Sequence, residues 1–335
     1  MSYFLDKKVC ITGGCGFIGK SLVKSLSALG AKVMIIDNLE RGDTSGLEID
    51  GNNISMRNID LRNTDECKGM FYDMDIVVHL ASKVGGIGVY TSRPYEVFRD
   101  MLKIDANVLD EVISSGVERY FYASSAHIYP LELQATPNPL AIKEEQAFPA
   151  NPELSYGMAK LVGEKNIVYA MGEHQNLRSA VARYIGIYGP GQDYGLDTGS
   201  VIPVFSHRAI KHPKTPFSVW GTGEETRSYC FIDDAVECTI RMIEKMESTP
   251  LVGPLNVGKQ EIISIADIAA AVIEISGKKI EIEFDRTKDT LIWGQWCDCS
   301  LAEKTLDGWK AATSFKEGLK VVYKDIRERL NNQDG

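Results

Sequence analysis

Lys8-Val9-Cys10-Ile11-Thr12-Gly13-Gly14-Cys15-Gly16-Phe17-Ile18-Gly19 is the stretch that decides the fold. Residues 8–11 form a short apolar strand that runs straight into a glycine-rich turn. Apolar positions then recur at helical spacing through Leu29, and Gly30 supplies a stop. A second strand, residues 31–36, ends on Asp37. Strand, glycine turn, helix, strand and acid together describe a dinucleotide-binding unit. Gly13 permits the tight turn, Gly16 lets the backbone approach a pyrophosphate, and Gly19 lets the helix pack on the sheet. Phe17 and Ile18 open a helix whose N-terminal amides face the phosphates. Asp37 is placed to accept hydrogen bonds from the adenosine ribose hydroxyls and to repel a 2'-phosphate. Asn38 and Leu39 after it carry no positive charge, so NAD is expected over NADP.

The same alternation continues outward from this unit. Residues 53–58 predict a third strand, closed by Asp60-Leu61, and residues 75–80 a fourth, followed by Ala81-Ser82. Residues 95–114 are helical, 119–124 a fifth strand, 156–172 a long helix and 177–185 a sixth strand. Repeated βα units with strands apolar on both faces give an α/β fold, a Rossmann-type doubly wound parallel sheet. The pattern changes after Tyr188-Gly189-Pro190-Gly191. Residues 215–223 and 226–232 stay ambiguous. Helices are expected over 233–246, 264–276 and 315–330, a strand edge and turn over 255–258, and a strand over 279–284. Residues 1–190 are therefore expected to form the NAD-binding domain and 191–335 mainly a smaller α/β substrate-binding lobe. Segments at about 228–260 are expected to return to the first domain. The cleft between the halves is the expected active site.

Composition bounds the partners. The net charge of −9 over 335 residues leaves no basic surplus to displace the counterions of a nucleic acid. No window is long and apolar enough to span a membrane. The first strand begins within ten residues of Met1, which leaves no room for a signal peptide and makes the cytoplasm the expected location. Seven cysteines are read as free thiols in a reducing compartment. Cys297 and Cys299, the one close pair, are too few ligands for zinc, and no metal is expected.

Tyr156 and Lys160 stand at i and i+4 and share one helical face. A nearby ammonium favours phenolate, which would let Tyr156 act as a general base near neutral pH, while Lys160 could hold the nicotinamide ribose. Ser125, just past the fifth strand, could orient a substrate hydroxyl. The trio suits reversible removal of a carbinol proton. A turn-capping serine and a solvated helix lysine remain the alternatives for Ser125 and Lys160.

On these residues the chain resembles an extended short-chain dehydrogenase/reductase of the nucleotide-sugar epimerase/dehydratase group. Thr12 to Gly19 matches that family's glycine motif, Asp37 its NAD-selecting acid and Asp60 its adenine-side acid. His79-Leu80-Ala81-Ser82 matches the motif after strand four. Ser125, Tyr156 and Lys160 match the triad, Tyr188-Gly189-Pro190 the Tyr-Gly-Pro motif, and Arg227 the arginine that reaches the nucleotide diphosphate. The resemblance implies a cofactor site of Gly13, Gly16, Phe17, Ile18, Gly19, Asp37, Asn38, Asp60, Leu61, Leu80, Ala81, Ser82, Tyr156 and Lys160. It implies a substrate site of Lys83, Gly86, Ser125, Arg227 and Gln295, with a nucleotide-diphosphate sugar as partner. It also implies a homodimer through the helices at 95–114 and 156–172.

Within the family the likeness is nearest to the GDP-mannose 3,5-epimerase subgroup, through Gly85-Gly86-Ile87-Gly88, residues 120–130 and Trp220-Gly221-Thr222-Gly223. That subgroup oxidises C4, inverts C3 and C5 with a cysteine and a lysine, and re-reduces C4. His127 stands at the cysteine position and Ser200 at the lysine position. A C-terminal arginine falls on Gln295 or Trp293. Leu291 to Trp296 stands where the family closes over the nucleotide, and a tryptophan there either stacks on the base or packs in the lobe core. The expected activity is an NAD-dependent nucleotide-sugar epimerase acting through transient C4 oxidation. Inversion at C3 and/or C5 of a GDP-sugar, with His127 as acid/base near neutrality, is the finer expectation. The alternatives are a nucleotide-sugar 4-dehydrogenase or a 4,6-dehydratase. Ala126 and His127 after the triad serine weigh against the dehydratase, which needs an acid there.

Overall fold

A computed structural model describes residues 2–85, 87–136, 139–288 and 292–334. Strands β1 (Lys8–Thr12), β2 (Lys32–Asp37), β3 (Ile54–Asn58), β4 (Ile76–His79), β5 (Arg119–Ser125) and β6 (Arg178–Tyr184) lie in the order β3-β2-β1-β4-β5-β6, all parallel. A seventh parallel strand, Leu251–Val257, pairs with β6 at the far edge. The sheet is Rossmann-like, with helices on both faces. Helix α1 (Phe17–Ala28) and the Ile232–Lys245 helix bury Leu22, Val23, Leu26, Ala235 and Met242 with Val9 and Ile11 on one side. The Pro94–Ser114 and Ser155–Glu173 helices bury Ile104, Val108, Val112 and Ile167 against Cys10, Val77 and Tyr120 on the other. Strand order reverses between β1 and β4. In this class of sheet the crevice beyond the carboxyl ends at that point receives the ligand.

Register brings the reactive ends together. Thr12 pairs with His79, His79 with Tyr122, and Ser125 with Tyr184. In the smaller part of the molecule a three-stranded sheet places Thr226–Arg227 between Ile263–Ser264, antiparallel, and Gly294–Gln295, parallel.

Three expectations are corrected. Residues 255–257 are not merely an edge but the end of a full strand, Leu251–Val257, with Gly258 bending out of it. The register of Leu251–Val257 shifts between Val252 and Leu255, where Gly253 and Pro254 interrupt the apolar run. Residues 279–284 yield only Glu283–Asp285, because the sole edge it meets, Ser218–Trp220, is three residues long. The Val201–Lys211 helix was not anticipated. Pro203 hides it, yet proline is tolerated in a first turn, where amides have no intrahelical acceptor. All seven cysteines are free and buried. Among the described residues, no helix is long and apolar enough to cross a membrane and no cluster suits a metal ion.

Candidate active site

The cradle is built from backbone. Gly13 has φ +72°, and a Cβ there would lie 2.7 Å from Ala81 N. Gly16 caps α1 without any side-chain acceptor, so its first-turn amides point outward unclaimed by a cap. Phe17 and Ile18 form that turn and pack partly buried on the core. Asp37 is anchored at the tip of β2, where it accepts from Cys15 N at 3.0 Å and Leu39 N at 2.9 Å. Each oxygen keeps lone-pair capacity for a ribose hydroxyl. Gly13, Gly16, Asp37, Asn38, Asp60, Leu61, Leu80, Ala81 and Ser82 line one continuous pocket.

That pocket also holds three cations, of which the sequence expectation named only Lys83. Arg41, Arg62 and Lys83 line it, but each is matched by an acid. Arg62 grips Asp60 at 2.7–3.1 Å and reaches Glu40 at 3.1 Å. Arg41 pairs with Asp193 at 3.2 Å, and Lys83 Nζ pairs with Glu40. Lys83, expected on the substrate side, lines the same pocket as Gly13 and Asp37. It is drawn there by Glu40. NADP should bind at least about tenfold more weakly than NAD in a calorimetric titration. Unit like charges about 4 Å apart repel by about 4 kcal/mol at an effective dielectric of about 20, and among the described residues no unpaired cation in the pocket offsets Asp37. Equal affinity would refute this.

Ser125, the last residue of β5, meets the Tyr156 phenol, and Lys160 stands one turn further along the helix that carries Tyr156. Ser125 accepts from His127 N at 3.2 Å as the cap of a short turn. Its hydroxyl also acts on the Tyr156 phenol, favouring the phenolate. The capping role and the orienting role are thus compatible. Tyr156 packs against Tyr90 at 5.1 Å between ring centroids and edge-on to His127 at 5.9 Å. The expected depression of its pKa by Lys160 does not occur. Burial pushes the phenol well above its usual range, with the Tyr90 hydroxyl and Asp105 adding to the rise. Lys160 is 1% exposed, with its ammonium 4.6 Å over the Tyr122 ring. Burial lowers its pKa, while Asp105 and Glu164 oppose the fall.

Lys160 Nζ and Ser82 Oγ are among the buried polar atoms that have no hydrogen-bond partner within the described residues. Orphaned donors of this kind are rare in native proteins. With the glycine cradle and the anchored Asp37, they fit a dinucleotide whose ribose hydroxyls would satisfy Lys160.

The substrate side is less fully matched. Arg227 donates to Thr226 O at 2.8 Å and Ile292 O at 3.0 Å, and burial lowers its pKa. Its charge is felt by His127 and by Glu153. Glu153 was not singled out in the sequence, yet its Oε2 is buried without a hydrogen-bond partner, and burial raises its pKa. Only its position three residues before Tyr156 could have flagged it. His127 is not poised near neutrality as expected. Burial, assisted by Arg227, pushes it down to about 4, so at pH 7 it is a neutral base. Its folded pKa lies below the unfolded value, so its contribution to stability is present above the unfolded pKa and is lost as pH falls towards about 4. In His127→Gln, urea unfolding should lose less stability over that window than wild type does. Parallel profiles would contradict the burial.

Gln295 sits opposite Arg227 in the strand register, but its amide donates to Gln134 Oε1 at 2.8 Å, so it is committed within the protein rather than presented to a diphosphate. Trp296 donates to Pro139 O at 2.9 Å. Ser200 is the residue before the Val201–Lys211 helix. Gly86 and Leu291 lie outside the described residues.

With this geometry in place, similarity to known proteins becomes informative. The model of the NAD dependent epimerase/dehydratase family matches residues 9–258. The chain is 29% identical to GDP-mannose 3,5-epimerase of Arabidopsis thaliana, with 97% of this chain and 84% of that protein covered. It is 26% identical to UDP-glucuronic acid decarboxylase 2 of the same plant, with 96% and 69% covered. A solved UDP-glucose 4-epimerase with UDP-glucose from Thermotoga maritima has a TM-score of 0.85 at 24% identity, covering 96% of this chain and 99% of that one. At that identity the likeness speaks for the fold.

Proposed function

Since the chain belongs to the NAD dependent epimerase/dehydratase family, we propose that it is a nucleotide-sugar epimerase that oxidises C4 of its substrate, inverts a neighbouring centre and re-reduces C4. The observation that carries this reading is the pairing of Ser125 with the Tyr156 phenol, one helical turn from the unsatisfied ammonium of Lys160. NAD, when bound, supplies the hydride acceptor. Tyr156 takes the proton of the C4 hydroxyl, and Ser125 holds that hydroxyl in line. Lys160 holds the ribose. Arg227 offers a planar fork to the diphosphate.

A C4 ketone acidifies the protons on C3 and C5. His127 takes one of these protons in our reading, which its neutral state at pH 7 and its edge-on packing against Tyr156 support. A serine at position 200 cannot return a proton to a carbanion as a lysine can, which favours inversion at a single centre. A GDP-linked sugar is the proposed substrate, on the likeness to GDP-mannose 3,5-epimerase along nearly the whole chain. We also place a second copy of the chain against the paired Pro94–Ser114 and Ser155–Glu173 helices, where Val168 and Tyr169 stand exposed.

Turnover of GDP- and UDP-sugars in deuterated water tests the reading. Deuterium should enter C3 or C5, and His127→Ala should suppress that entry at least about tenfold while bound NAD is still reduced. Isomerisation with no carbon-bound deuterium would make the protein a 4-epimerase. NADH accumulating in step with product would make it a dehydrogenase.

A further inference from the structure

We propose that Asp105 is a positioning residue whose carboxylate keeps Lys160 charged and ties that charge to the glycine-rich turn through His79 and Thr12. This rests on the proposed function only in that Lys160 serves the same site.

Both oxygens of Asp105 are engaged, and only by neutral donors. Oδ1 lies 3.0 Å from His79 Nε2, and Oδ2 accepts from Tyr122 OH at 2.5 Å. His79 Nδ1 lies 2.7 Å from Thr12 Oγ1, which in turn accepts from Ala81 N at 3.3 Å. A single proton arrangement satisfies the chain. Ala81 N–H donates to Thr12, Thr12 to His79 Nδ1, and His79 Nε2 to Asp105, with the imidazole neutral. Burial lowers the His79 pKa, in keeping with that state. None of these donors cancels the charge on Asp105.

The Lys160 ammonium lies 4.6 Å over the ring of Tyr122, and the hydroxyl of that same ring donates to Asp105 Oδ2. Charged or titratable groups face Lys160 from four elements. Asp105 comes from the Pro94–Ser114 helix, Glu164 from its own helix, Tyr122 from β5 and His79 from β4. Tyr120 of β5 and Tyr156 feel Asp105. Glu164 is spent elsewhere. It takes the Arg183 fork at 2.7 and 3.0 Å and a hydrogen bond from Ser124. With Glu164 and Arg183 neutralising each other, Asp105 is the remaining counter-charge for the buried ammonium. A buried charge persists only when matched in this way. Gly163 makes room for the arrangement. A Cβ there would collide with Tyr122 OH and stand 2.9 Å from Asp105 Oδ2.

The test uses NAD-loaded protein carrying labelled lysine, with the Lys160 resonance identified by its loss in Lys160→Met. Asp105→Asn removes the charge. Asp105→Thr keeps an oxygen for His79 and serves if the asparagine variant does not fold. The Lys160 titration midpoint should fall by about one pH unit or more in either variant. With a sugar nucleotide, the alkaline limb of NAD reduction should move to lower pH by the same amount. In a Lys160→Met background, Asp105→Asn should cost nothing further. An unmoved Lys160 midpoint, or an equal loss in both backgrounds, would overturn the proposal. The lysine titration needs no sugar, so failure of every sugar nucleotide would count against the proposed function and leave this inference standing on its own readout.

Discussion

Tyr156→Phe is expected to retain bound NAD and lose its reduction by at least about two orders of magnitude, the lower range for a positioned acid/base group. The ring itself should stay in place. Its packing against Tyr90 at 5.1 Å and His127 at 5.9 Å uses the aromatic face and edge, which phenylalanine reproduces. What disappears is the phenolic oxygen, on which Ser125 acts. His127 faces the ring edge, and Lys160 lies over Tyr122. Burial raises the Tyr156 pKa in the ligand-free protein, so the phenol is protonated at rest and wild-type reduction should climb with pH. The phenylalanine variant should show no such climb. Single-turnover absorbance of NADH across pH measures both. A variant within a few-fold of wild type would remove Tyr156 from the chemistry.

How much of this was legible in the sequence depends on the range of the interactions. The βαβ unit around Gly13 is local. Strand, turn, helix and acid are fixed by neighbours within 30 residues, and their bounds in the structure differ from the expected ones by a residue or so. The seventh strand is not local. Its partner, β6, lies some 70 residues upstream, and Gly253-Pro254 breaks the one-dimensional pattern that would announce it. Cleft electrostatics were the least legible. The sequence places Lys160 one turn from Tyr156 and suggests a depressed phenol. Only the fold shows that burial dominates, and that the ammonium answers to Asp105, 55 residues away in the chain. Lys83 and Gln295 show the same limit. Spacing gives their neighbourhood, but Glu40 and Gln134 decide where their side chains point.

Two helical glycines separate fold from function by a single methyl group. At Gly19, in the first turn of α1, a Cβ would collide with Gly13 O and stand 2.7 Å from Gly14 Cα. These are backbone atoms of the turn itself, with no flexible side chain to yield. Gly19→Ala must therefore push α1 outward or open the turn. Either change shifts the first-turn amides that would face a pyrophosphate. Overpacking of this kind costs about 1–3 kcal/mol of stability. Loss of the amide contacts should weaken NAD binding by about a hundredfold or more, which corresponds to about 2.7 kcal/mol. At Gly172, near the end of the Ser155–Glu173 helix, nothing lies within 4 Å of an added Cβ. Gly172→Ala should stabilise the protein by up to about 1 kcal/mol through helix propensity alone and leave NAD affinity unchanged. Calorimetric NAD titration with thermal unfolding of both variants distinguishes the two effects. If Gly19→Ala bound NAD like wild type, the close approach of α1 to the turn would not be what builds the cofactor cradle.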